Sequence, residues 1–294
     1  MNFEEFVFQE NLGTLESNVS FAEMTTIGCG GKIKTVYTPK DIDALCRAFR
    51  FIEEHELKYF VIGNGSNVLA SDAFYDGIVI QVKKLPYDYT VEEGILNCSA
   101  FYPTTKLAYN LAKEEWGDLS FLGGIPGLLG GAIYNNSGAY TEDIQKRLID
   151  VTYINSAGEI VTISNRDCAF GYRKSIFHYI DAIILSARFK VERMKTQEVL
   201  DKRANRRKLA QPLDSKSMGS IFKNNPLIPA WKIIDALGMR GFQYHGAAVS
   251  TKHANFIINT GKAKSNDILS LIELIQRRAM LEFGIQLTYE ITIL

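Results

Sequence analysis

Apolar residues recur along this chain with two periods. In residues 38–55, TPKDIDALCRAFRFIEEH, the positions Ile42, Leu45, Cys46, Phe49 and Ile52 share one face at helical spacing. Thr38 and Asp41 read as a capping box, and Pro39 suits a first turn. The runs KYFVIG (58–63) and GIVIQV (77–82) read as buried strands, so the chain opens as β-α-β. The stretch 265–283 repeats the helical pattern through Ile268, Leu271, Ile272, Ile275 and Ala279, and Gly284 should end it. In the segment after it, IQLTYEITIL, Ile285, Leu287, Tyr289, Ile291 and Ile293 alternate with polar positions, which predicts a strand with Glu290 on its opposite face. Glu290 taken alone reads as a solvated carboxylate.

Between these ends, ILNCSA, DVTYINS, EIVTIS and AIILSARFKV read as strands, and a helix is expected near 103–115. The alternation of helices and strands makes an α/β or α+β fold the expected class. A basic helix over 197–212 carries Lys202, Arg203, Arg206, Arg207 and Lys208, a pattern that most often marks a solvated face. The 294 residues allow two or three domains, and the formal net charge of zero gives no field directed at nucleic acid or anionic lipid. The four cysteines have no ligand-like spacing, which argues against a zinc site and suits a reducing compartment. No run of about 18 apolar residues occurs. The acidic start, MNFEEFVFQE, lacks the marks of a signal peptide, so a soluble cytoplasmic protein is expected.

Glycine supplies the candidate chemistry. GNGSNVL (63–69) follows a strand, and its backbone can approach a ligand closely while Ser66 and Asn67 add short polar groups. Valine at position 68 departs from a dinucleotide fingerprint, and Ile33 after Gly31-Lys32 departs from a phosphate-binding P-loop. A plain turn and a cofactor-hugging turn remain equally open for this motif. GGIPGLLGGAIYNNSGAY (123–140) has six glycines and no charge, too apolar for an ordinary surface loop, and reads as backbone packed against a large flat ligand, with a glycine-rich packing loop as the alternative. In GYRKSIF (171–177), Arg173 lies between aromatics, where a guanidinium can meet a carboxylate or simply stack. Ser220 and Lys223 have the S-x-x-K spacing of some acyl-transfer enzymes, but Lys223-Asn224-Asn225-Pro226 would break the helix that chemistry needs. Ser220 therefore reads as something other than a nucleophile.

The ordered set TTIGCGG, GNGSNVL, GIPGLLGGAIYNNSGAY, YRKSIF, RKLAQP…MGSIFKN and GMRGFQYHGAAVSTKHANFIIN, with the Glu290 segment, resembles the UDP-N-acetylenolpyruvoylglucosamine reductase family from about residue 20 to the end. The resemblance implies an α+β, vanillyl-alcohol-oxidase-type FAD-binding fold, with residues 1–85 and 86–196 as two flavin-binding parts and 197–294 as a UDP-sugar domain. It implies non-covalent FAD, NADPH as co-substrate and UDP-N-acetylglucosamine enolpyruvate as the small-molecule substrate, with no nucleic-acid or membrane partner. Flavin contacts fall on Gly63, Asn64, Gly65, Ser66 and Asn67, and on Gly124, Ile125, Gly127, Gly131, Ala132, Asn135, Gly138 and Ala139. Ser220 matches the family's proton donor, and Arg173 and Glu290 match the pair that stabilises the enolate-like species. In that role Glu290 is protonated or acts through a hydrogen bond. Tyr172, Lys223, Asn224, Arg240 and His253 fall at substrate-binding positions. The short spacing between YRKSIF and IDAIILSARF matches the shorter of the family's two types. Ser99–Tyr102 and Thr141 stand where the family commonly carries glycine.

Overall fold

A computed structural model describes Met1–Leu294, and the chain divides into two compact units. The first gathers Met1–Ser17, Thr35–Gly63 and Asp76–Ala204; the second gathers Asn18–Lys34, Asn64–Tyr75 and Asn205–Leu294.

The first unit has two sheets. One orders its strands Gly13–Glu16, Ile33–Pro39, Tyr75–Gln81 and Tyr59–Ile62. The helix Ile42–Glu54 buries Leu45, Ala48, Phe49 and Ile52 in the core that also takes Ile78 and Ile80 from this sheet. Its cap is Asp41, whose carboxylate accepts from the Ala44 amide at 2.8 Å. Thr38 and Pro39, expected in the cap and first turn, instead finish the preceding strand, where Thr38 pairs with Thr14. Tyr59–Ile62 and Tyr75–Gln81 run parallel, in register from Tyr59↔Ile78 to Ile62↔Gln81. Parallel neighbours need a crossover of a dozen or more residues. Residues 63–74 supply it, so GNGSNVL leaves the carboxyl end of a parallel strand, the end at which α/β sheets usually bind ligands.

The other sheet is antiparallel, ordered Ile160–Ser164, Leu148–Asn155, Ala182–Lys190, Ile95–Ser99 and Tyr89–Glu92. The helix Thr104–Lys113 buries Leu107, Ala108, Leu111 and Ala112 in the same core as Leu96, Val151, Ala187 and Phe189 from this sheet. The glycine-rich stretch, despite its six glycines, contains the six-residue helix Leu129–Tyr134. Leu129, Ala132 and Ile133 are its buried residues.

The second unit is built on a small sheet ordered Lys216–Ser217, Ile257–Asn259, Ala247–Val249 and Gln243–Tyr244. The helix Ser265–Phe283 buries Ile268, Leu271, Ile272, Ile275 and Ala279, the face expected from its spacing, and Gly284 caps it with φ 64°. After it, the expected ten-residue strand is broken. Tyr289 bridges Phe222, and Thr292–Ile293 pair parallel to Val68–Leu69. Leu287 and Ile291 are nevertheless buried, as the alternation requires. No helix is long and apolar enough to cross a membrane.

Candidate active site

In the first unit, the glycine-rich loop docks on residues 100–102. The amides of Leu129 and Gly130 donate to the carbonyls of Tyr102 and Ala100 at 2.9 and 2.7 Å. Gly124 and Ile125 end a 3-10 turn, and the Gly127 carbonyl accepts from the Thr104 amide at 3.1 Å. Gly131 has no atom within 4 Å of the place a Cβ would occupy. Asn135 donates from its side chain to the Gly131 carbonyl at 3.3 Å. The other glycines serve the protein's own packing. A Cβ at Gly63 would stand 3.0 Å from Leu128, and one at Gly138 would stand 2.7 Å from the Asp143 side chain. Gly138 and Ala139 pair with Glu142 and Asp143. Ala132 is buried, which leaves its side chain to the core.

Arg173 sits in a tight hairpin, where Gly171 and Lys174 exchange main-chain hydrogen bonds and φ at Arg173 is 53°. Its Nη2 donates to the Gly138 carbonyl at 3.0 Å and its Nη1 to the Asn136 carbonyl at 3.4 Å. The guanidinium carbon stands 5.1 Å over the Tyr172 ring, and Tyr172 is exposed. Buried Asn136 completes the link, donating from Nδ2 to the Gly171 carbonyl at 2.9 Å and accepting the Gln145 amide on Oδ1. The loop and the arginine hairpin are thus one hydrogen-bonded body. From the helix Gln197–Ala210, Arg203 donates to Ser120 and lies 4.2 Å over the Tyr140 ring, so this member of the basic cluster packs rather than simply facing solvent.

In the second unit, Gly65 adopts φ 60°, and its carbonyl accepts from the Thr26 amide at 3.1 Å. A Cβ there would stand 2.8 Å from the Thr25 backbone, so this glycine is required by the turn itself. Asn64 is exposed, while Ser66 and Asn67 are half-buried. Asn67 donates from Nδ2 to the Glu290 carbonyl at 3.1 Å, and its own carbonyl accepts from the Thr292 amide at 2.9 Å.

Ser220 and Glu290 lie on extended segments laced together. The Glu290 amide donates to the Ile221 carbonyl at 2.8 Å, and the Lys223 amide donates to the Thr288 carbonyl at 2.9 Å. Asn255 holds the other edge of the serine segment: its Oδ1 accepts the Phe222 amide at 3.0 Å and its Nδ2 donates to the Phe222 carbonyl at 2.8 Å. A hydroxyl and a carboxyl therefore flank one short ladder. No helix begins at Ser220, in keeping with the sequence argument against an acyl-transfer serine.

The remaining substrate candidates already have protein partners. Asn224 accepts the Ala230 amide at 3.1 Å. Arg240 meets Asp235 through two nitrogens, at 2.8 and 2.6 Å, and donates to the Thr251 carbonyl at 2.8 Å. His253 accepts from the Asn255 amide on Nδ1; burial and the nearby Arg240 charge push its pKa below the usual histidine range. An open groove of about 630 Å³ at the edge of the antiparallel sheet, lined by Tyr89, Glu114, Trp116 and Arg193 among others, contains none of these residues. Asn136 and Asn255 were absent from the sequence reading. A lone asparagine gives no periodic or spacing signal, although Asn136 at φ 40° occupies backbone that asparagine tolerates better than most residues.

Residues 211–294 match the C-terminal domain of UDP-N-acetylenolpyruvoylglucosamine reductase, and residues 33–164 match an FAD-binding domain. UDP-N-acetylenolpyruvoylglucosamine reductase 1 of Bacillus anthracis is 33% identical over 98% of this chain and 97% of its own length. The enzyme of Carboxydothermus hydrogenoformans is 36% identical over 94% and 93%. The chain belongs to the UDP-N-acetylenolpyruvoylglucosamine reductase family. The crystal structure of the Thermus caldophilus reductase superposes with a TM-score of 0.80 at 29% identity, covering 96% of this chain and 99% of that one. As a member of this family the protein is an FAD-dependent oxidoreductase of peptidoglycan precursor synthesis with an α+β flavin-binding fold. The donor set agrees with the cofactor. Gly131 presents open backbone that a flat ligand could approach, and short amide and hydroxyl groups at Asn64, Ser66 and Asn67 suit a phosphate-rich dinucleotide.

Proposed function

We propose that the protein catalyses NADPH-driven reduction of UDP-N-acetylglucosamine enolpyruvate to UDP-N-acetylmuramate. Non-covalent FAD, when bound, would supply the two-electron chemistry that links NADPH oxidation to reduction of the enolpyruvyl group. Residues 63–67 and 124–139 hold that cofactor through backbone amides and short polar side chains. Residues 1–85 and 86–196 carry the flavin-binding parts and 197–294 the UDP-sugar domain.

The observation that supports the catalytic reading is the short ladder in which the Glu290 amide donates to the carbonyl of Ile221, the residue after Ser220. Hydride addition at the methylene carbon leaves negative charge delocalised over the neighbouring carbon and the carboxylate. The Ser220 Oγ–H gives its proton to that carbon, and the serine recovers a proton from solvent. Arg173 and Glu290 stabilise the enolate-like charge, the arginine by charge-assisted hydrogen bonds to the carboxylate. Tyr172, Lys223, Asn224, Arg240 and His253 surround the UDP-sugar; for Arg240 this requires that the pair with Asp235 open or that contact come from its outer edge. The reaction consumes a nucleotide sugar and NADPH, both cytoplasmic metabolites, which supports a cytoplasmic setting; the reading includes no nucleic-acid or membrane partner.

The test is the visible spectrum of purified protein, followed by NADPH oxidation with and without the enolpyruvyl UDP-sugar. Releasable FAD and substrate-dependent oxidation are expected. Flavin that stays with acid-precipitated polypeptide, or NADPH oxidation indifferent to the sugar, would contradict the reading.

A further inference from the structure

The serine segment has little rigidity of its own. Gly219 precedes it at φ 79° with no atom within 4 Å of a Cβ position, and Asn224, Asn225 and Pro226 follow it. Between them, Ile221–Lys223 is fixed from both edges. Glu290 and Thr288 hold one edge through main-chain bonds. Asn255 holds the other: its carbonyl accepts the Ile221 amide at 2.9 Å, while its side chain both accepts from and donates to Phe222. That reciprocal pair is what a residue of a neighbouring antiparallel strand would make, so one carboxamide stands in for a missing strand.

Asn255 is itself anchored. It is 3% exposed and belongs to the connection between the strands Ala247–Val249 and Ile257–Asn259. In that connection the Ser250 amide donates to the Phe256 carbonyl at 2.8 Å, and Ser250 Oγ accepts the amides of Lys252 and His253. The carboxamide therefore transmits the position of a sheet to a segment that would otherwise pivot at Gly219. A catalytic group is best aligned when rigid elements and a supporting shell hold it.

We infer that Asn255 is a positioning residue for this reaction, holding the backbone that carries Ser220 in register with Glu290. The inference rests on the reading of Ser220 as proton donor.

A double-mutant cycle tests it on the full-length holoprotein, reading flavin reoxidation by the enolpyruvyl substrate in stopped flow. Flavin content, thermal midpoint and flavin reduction by NADPH are recorded for each variant. Asn255→Ala is expected to keep NADPH reduction close to the parent rate and to slow reoxidation roughly 10- to 100-fold, the scale of a misplacement of about 1 Å. In a Ser220→Ala background the same change should have almost no further effect, because there is no longer a hydroxyl to misalign. Asn255→Asp keeps the shape and the acceptor but, when ionised, cannot donate to the Phe222 carbonyl, and it serves if the alanine variant loses flavin. Effects that multiply in the double variant, parental reoxidation in both Asn255 variants, or loss of fold in both would reduce Asn255 to a structural residue and overturn the inference while leaving the serine assignment standing. Parental reoxidation in Ser220→Ala alone would remove the serine assignment and this inference with it.

Discussion

Arg173 donates through Nη2 to the carbonyl oxygen of Gly138 at 3.0 Å, which ties the tip of a strained hairpin to the far end of the glycine-rich loop. A guanidinium can hold that carbonyl and present a planar edge in a second direction, whereas an ammonium is a single point charge. Arg173→Lys should therefore lower the rate of flavin reoxidation by substrate about 10²-fold or more. Flavin reduction by NADPH should change little. Near-parental reoxidation would make Arg173 a hairpin anchor and nothing further.

Ser220→Ala should divide the two half-reactions in another way. Reduction by NADPH needs no proton from this hydroxyl and should proceed near the parent rate. Reoxidation should slow by about 10²–10⁴-fold, the usual contribution of a positioned general acid. Ser220→Cys, with a more acidic hydrogen at nearly the same place, should recover part of the loss. Stopped-flow absorbance at the flavin band measures both, and a loss shared equally by the two half-reactions would point to folding instead.

Two glycines of the candidate flavin site should respond oppositely. Gly131 lies within the helix Leu129–Tyr134 and faces open space, so Gly131→Ala should stabilise the apoprotein by about 0.5–1 kcal/mol. Gly131→Val should lower FAD occupancy by placing a branched side chain where the cofactor would approach the backbone. Gly63→Val should destabilise the fold itself, because the new Cβ meets Leu128 at 3.0 Å. Denaturant melts of the apoproteins and flavin-to-protein ratios separate these cases; full FAD occupancy in Gly131→Val would remove that glycine from the site.

What the sequence disclosed depended on how local the cause was. Ser265–Phe283 was legible because its apolar face and its terminal glycine lie within one stretch of chain. The start of Ile42–Glu54 was misplaced by three residues: Thr38 and Asp41 are both competent caps, and the pairing of Thr38 with Thr14, a tertiary fact, decides between them. The alternation after Gly284 correctly marked Leu287 and Ile291 as inward, yet a full strand did not form, because its main-chain partners are split between residues 221–223 and residues 67–71. Nor did periodicity show that residues 18–34 and 64–75 belong with the C-terminal third. Ser220, Arg173 and Glu290 emerged from ordered motifs, but the Asp235 partner of Arg240 and the carboxamide of Asn255 depend on turns that no spacing rule specifies.

Thr141 holds φ 66°, directly after Tyr140 at φ 59°. A β-branched residue in left-handed backbone is a true outlier. Thr141→Gly should raise stability by about 1 kcal/mol once glycine's own entropic cost is subtracted. Thr141→Ala, which keeps a Cβ, should not share the gain. Urea melts would show the difference.

His253 titrates below its unfolded value of 6.5, chiefly because burial penalises its charged form and secondarily because Arg240 is near. As pH falls through 6.5 the unfolded chain takes up a proton that the native ring refuses, so native stability declines from there down to the depressed native pKa. His253→Gln should flatten that part of the stability-versus-pH curve and leave the region above pH 7 with a constant offset. An unchanged slope below pH 6.5 would assign the acid sensitivity to other groups.

The pairing of residues 67–69 with residues 290–294 has a consequence for how the protein is made. Asn67 and Glu290 lie 223 positions apart. At about 5–20 residues per second, the ribosome needs roughly 11–45 s to deliver the partner after the GNGSNVL turn has emerged. Throughout that interval the turn has no sheet to lie on, and closing so long a loop is entropically unfavourable until the last segment arrives. Nascent chains halted before residue 288 should thus be cleaved by protease within residues 64–75 while the antiparallel sheet of the first unit is already resistant.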